Sequence, residues 1–79
     1  MSTTSARVIK IIAENLGLNP EDLDRNALLK EELGLSIVEL NDILSGLSAE
    51  FNITFDLQNP ESLTKVEDLI SLVEDNLLD

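Results

Sequence analysis

The chain's 79 residues suffice for one small domain (1–79) on a single core. With no cysteine and no histidine it lacks disulfides, thiolate chemistry and the commonest general base, which suits a reducing cytoplasmic setting. Sixteen acids against five bases leave a net charge of −11, which disfavours nucleic acid and anionic membrane and favours a basic protein partner.

Periodicity and punctuation divide the chain into four segments. Val8, Ile11, Ile12 and Leu16 recur at helical spacing after a Ser/Thr-rich start, predicting an amphipathic helix over roughly 4–16. Gly17 follows as its C-terminal cap. Asn19-Pro20-Glu21-Asp22 suits a capped turn with proline at its first helical position. From there to Leu35 a long loop is expected, held to the core by Leu23, Leu28, Leu29 and Leu33; loops of this length in small domains are often functional. Ser36-Ile37-Val38-Glu39 reads as a capping box opening a second helix over 36–51. Leu40, Ile43, Leu47 and Phe51 form its apolar stripe. Gly46 interrupts that helix at a cost of roughly 1 kcal/mol relative to alanine, either for a close helix contact or without purpose. Ile53-Thr54-Phe55 reads as a short extended connector, and 56–62 has room for one weak turn broken at Pro60. Thr64-Lys65-Val66-Glu67 reads as a second capping box, starting a last helix over 64–77 with Val66, Leu69, Ile70, Val73 and Leu77 on its buried face. The expected fold is all-α, a small three- to four-helix bundle with a long first connection.

Charge is unevenly spread. Residues 1–30 hold four acids and four bases (Arg7, Lys10, Arg25, Lys30), whereas residues 31–79 hold twelve acids and Lys65 alone. The bland explanation is solubility of an apolar-rich small domain; the sharper one is a basic partner for the C-terminal part. No apolar run approaches membrane length and no signal-peptide pattern opens the chain, so a soluble protein is expected.

Five short stretches carry a resemblance: Arg7-Val8-Ile9-Lys10-Ile11-Ile12, Leu16-Gly17-Leu18, Glu32-Leu33-Gly34-Leu35-Ser36-Ile37-Val38, Glu50-Phe51 and Thr64-Lys65-Val66. Each is weak alone, but at their shared ungapped spacing the chain resembles the acyl carrier proteins over nearly its whole length. That resemblance implies a helical bundle whose D-L-G-x-D-S-L signature presents a serine for 4'-phosphopantetheine. It also implies acids on the second helix that dock on basic surfaces of synthases, transferases and the phosphopantetheinyl transferase. Here Ile37 stands at the serine's position and Ser36 at the preceding aspartate's. Glu39 and Asp42 fall on usual acidic positions, whereas Ser36, Ser48 and Ala49 leave others uncharged and Asn41 replaces an apolar contact. The implied docking set is Ile37, Val38, Glu39 and Asp42.

Ser36 has two readings. As a displaced attachment site it offers a hydroxyl at a loop-to-helix junction, where a helix N-terminus favours a phosphodiester. As an N-cap it completes a box with Glu39, and this reading is preferred because serine is among the best caps. A one-residue slip also turns the hydroxyl by roughly 100° around the helix. No histidine, cysteine or arranged Ser/Lys pair supplies a nucleophile with a base, so catalysis by the chain itself is not expected. Nor is a metal site, since no acid-rich loop has calcium-site spacing. Two functions follow: a carrier that presents a thioester cargo if an arm is attached, or a non-modified, carrier-derived interaction or regulatory protein. In both, a monomer is expected.

Overall fold

The computed structural model describes residues 3–55 and 62–77. Three helices form, α1 (Thr3–Leu16), α2 (Ile37–Phe51) and α3 (Val66–Leu77), with one 3-10 turn at Pro20–Asp22 and no strand among the described residues. The weak turn expected within 56–62 falls almost wholly outside them.

Each helix is held by burial of one apolar stripe. Val8 and Ile12 of α1, Ile43 and Leu47 of α2, and Val66, Leu69, Ile70 and Val73 of α3 are completely buried and belong to one core cluster. Fully burying a side chain of this kind contributes about 1.5–3 kcal/mol, far more than any helix propensity here. α1 packs against both α2 and α3. Three stripe details differ from expectation. Leu44 and Ala13 are buried although they fall outside the expected stripes, and Leu77 is 44% exposed because it lies at the last turn of α3. Phe51 is only partly buried, its ring lying 4.3 Å beneath the Arg7 guanidinium.

The helix ends show why the chain turns where it does. After α1, Gly17 adopts a positive φ of 71°, the Leu18 amide donates to the Ala13 carbonyl at 2.9 Å, and the Gly17 amide donates to that of Glu14 at 3.4 Å. This is a Schellman closure, which needs a left-handed residue and favours glycine. Pro20 starts the 3-10 turn as expected, but the Asn19 side chain makes no cap bond there. α2 ends at Asn52, which supplies the left-handed cap (φ 53°). The Ser48 hydroxyl then donates to the Ile53 carbonyl, fixing the start of the connector.

The long loop is tied down chiefly by its backbone. Leu23, Ala27, Leu29 and Leu35 are buried, whereas Leu28 is half-exposed and acts through an isolated antiparallel bridge to Lys65. The Leu29 amide donates to the Thr64 carbonyl at 2.8 Å. In return the amides of Val66 and Glu67 donate to the carbonyls of Ala27 (3.1 Å) and Arg25 (2.8 Å). The start of α3 is therefore capped by the loop, and the expected Thr64/Glu67 box does not form. Asp68 takes the role: its Oδ2 accepts from the Thr64 amide (2.9 Å), the Thr64 hydroxyl (3.0 Å) and the Lys65 amide (3.0 Å). Glu67 turns instead to Arg25, with an N–O separation of 2.9 Å. The helix consequently begins at Val66, two residues later than expected.

Candidate functional site

The loop delivers the chain to the start of α2 through successive turns. Amides of Glu32 and Leu33 donate to the Leu28 carbonyl, that of Gly34 to Lys30, and that of Leu35 to Leu29. Gly34 has φ 68°, a conformation that costs a residue with a Cβ about 1–2 kcal/mol, although no atom lies within 4 Å of where that Cβ would stand. The constraint on Gly34 is thus conformational and not one of space. Leu35 then buries its side chain, which sets the direction in which Ser36 and Ile37 leave the core.

Ser36 is extended (φ −83°, ψ 169°) and forms the expected capping box. Its Oγ accepts from the Glu39 amide at 3.2 Å, and its own amide donates to Glu39 Oε1 at 3.0 Å. The hydrogen bond that the Ser36 amide donates to the carboxylate, with a further contribution from the Ser36 side chain, holds the Glu39 carboxyl below the ordinary carboxylate range. Glu39 is therefore a firm anion at neutral pH, and Ser36 is exposed but committed to the helix end.

Beyond the cap, Ile37 is 52% and Val38 69% exposed. Val38 and Asp42, four residues apart, share one face of α2. Ile37 and Glu39 lie on opposite flanks, each about 100° around from Val38. On one flank Ile37 borders a hollow of about 350 Å³ with Leu29, Lys30, Leu35, Leu63 and Thr64 among its walls. On the other, Glu39 and Asp42 border a smaller hollow of about 250 Å³ with Asn15. The structure thus places all four expected docking residues in the first six positions of α2, exposed, with apolar and acidic members adjacent. α2 contains no basic residue. Asn41, Ser45 and Ala49 are exposed too, so the acidic face does not continue along the helix.

Farther along, Glu50 is engaged in holding the fold. Arg7 pairs with its carboxylate at 2.8 Å, donates to its backbone carbonyl at 3.3 Å and covers the Phe51 ring. Two of the quoted sequence stretches thereby touch each other, and a third, Leu16-Gly17-Leu18, is the Schellman closure. Thr64-Lys65-Val66 lies where the loop meets α3. The stretches that carry the resemblance are thus largely the joints between elements.

No family model matches the chain. Over 76 residues it is 26% identical to the acyl carrier protein of Zymomonas mobilis subsp. mobilis, a span covering 96% of this chain and 97% of that protein. This chain is a relative of the acyl carrier proteins. Coverage of nearly both full lengths means that the sequence similarity is not confined to one motif.

The resemblance implies a phosphopantetheine arm at position 37, and the residues there do not fit it. Ile37 has no hydroxyl. Ser36, the neighbouring hydroxyl, has its oxygen on the Glu39 amide and a carboxylate oxygen 3.0 Å from its own nitrogen. Among the described residues no helix is long and apolar enough to cross a membrane.

Proposed function

We propose that residues 1–79 form one carrier-type domain that docks with enzymes of fatty-acid, polyketide or related biosynthesis through the first turns of α2. It acts as a monomer in the cytoplasm and catalyses nothing itself. The supporting observation is the exposed cluster Ile37, Val38, Glu39 and Asp42, which stands where the family's arm would leave the helix. A basic synthase or transferase surface complements the two acids, and the absence of any basic residue on α2 leaves that attraction unopposed along the helix. On this reading position 37 carries no arm, and the chain works by docking rather than by carrying a thioester.

A second reading, attachment at Ser36, draws on that residue's exposure. Against it stands the Glu39 carboxylate, which a phosphodiester on Ser36 would meet at close range. Intact-mass analysis after incubation with coenzyme A and a promiscuous phosphopantetheinyl transferase separates the two. Unmodified wild type with modified Ile37→Ser supports the docking reading; wild type that gains the arm at Ser36 replaces it with a carrier whose site has shifted.

A further inference from the structure

Among the described residues only four large apolar side chains are more than two fifths exposed: Leu18, Ile37, Val38 and Leu77. Two of them are consecutive and occupy the first turn of α2, beside a capped and firmly ionised Glu39 and close to Asp42. Scattered single apolar residues on a surface need no explanation, but an adjacent pair at the point where a carrier would offer its hydroxyl does. Ile37 also borders the hollow of about 350 Å³, whose charged wall residues Lys30 and Glu31 offset each other. The uncompensated acids lie on the opposite flank.

An apolar pair flanked by anions fits a protein surface with an apolar recess and basic side chains on one side of it. Charge brings such a surface in, and burial of Ile37 and Val38 holds it. We propose that this pair makes the chain a non-transferable competitor: it occupies the carrier-docking surface of a basic enzyme, offers no hydroxyl at position 37 to accept a group, and so slows the loading of a serine-bearing carrier. This inference rests on the docking reading above and adds to it an apolar anchor and an inhibitory outcome.

The test measures how fast a promiscuous phosphopantetheinyl transferase loads a serine-bearing carrier, the Zymomonas mobilis acyl carrier protein, as this chain is added. Wild type is expected to raise the apparent KM for the carrier while leaving kcat unchanged. Ile37→Asp and Val38→Asp, both at exposed positions, are expected to keep the fold, which a melting curve checks, and they increase the acidity of the site. If charge alone governed docking they would inhibit more strongly; the apolar anchor requires inhibition about tenfold weaker or more. Glu39→Lys and Asp42→Lys are expected to weaken it as well. If Ile37→Ser is loaded by the same enzyme but wild type does not inhibit, docking stands and the competitor proposal falls. If Ile37→Ser is not loaded and wild type does not inhibit, both fall. Inhibition equal to or stronger than wild type in the aspartate variants overturns the anchor.

Discussion

Single residues at helix ends carry much of the local specification, and the three glycines show how differently one residue type is used. Gly17 and Gly34 hold φ of 71° and 68°, so alanine at either should destabilise the fold by about 1–2 kcal/mol, read from denaturant midpoints. Gly46 lies inside α2, and a Cβ there would meet Ile11 Cγ2 at 3.5 Å, an ordinary contact. Gly46→Ala should therefore stabilise by up to about 1 kcal/mol, and a loss of stability would show that the α1–α2 approach does need glycine. Of the two sequence-based explanations for Gly46, the structure thus favours the one without a packing purpose. Ser36→Ala removes the acceptor of the Glu39 amide and should cost about 1 kcal/mol. An unchanged melting temperature would mean that the cap is dispensable and would reopen Ser36 as an attachment site.

At the scale of elements, periodicity found all three helices, because each buries a stripe wide enough to dominate its local sequence. The start of α2 was legible to the residue, since Ser36 and Glu39 are local partners three positions apart. The start of α3 was not. Thr64-Lys65-Val66-Glu67 has the letters of a capping box, but Glu67 is drawn to Arg25, 42 residues away, and Asp68 takes the cap. No local pattern announces a partner at that separation. The candidate site was legible only in part: Ile37 and Val38 could be located on α2 from the signature, but their exposure depends on Leu35 turning inward. Asp68 also gives this element a pH dependence. Hydrogen bonds, first from the Thr64 amide, hold its carboxyl below the ordinary range, against a smaller upward push from burial. Because the folded value is depressed, its contribution is present above the ordinary carboxylate pKa and disappears as pH falls through the folded value. The melting-temperature gap between wild type and Asp68→Asn should thus be widest near neutrality and close in acid, once pH has fallen below the ordinary carboxylate range. A gap that widens in acid would contradict the assignment.

For the whole molecule, the dominant electrostatic fact is a net charge of −11, concentrated after residue 30. Only two ion pairs, Arg7–Glu50 and Arg25–Glu67, are formed among the described residues, and both are about half exposed. Such pairs contribute little each, so mutual repulsion among the acids should outweigh them. Raising ionic strength from about 0.01 M to 1 M, which shortens the screening length from about 30 Å to 3 Å, should raise the melting temperature at pH 7. A fall would show that the two pairs matter more than the repulsion. The clip between the loop and α3 has a different consequence, one of timing. An isolated helix frays from its first turn, but here the amides of Val66 and Glu67 are received by carbonyls some forty residues earlier in the chain. They become free to exchange with solvent only when the loop lifts away, and the Leu29 amide, bound to Thr64, is released in the same event. These three hydrogens, distant in sequence, should thus exchange with deuterium at closely matched opening free energies, reporting the loop and the start of α3 as one cooperative unit.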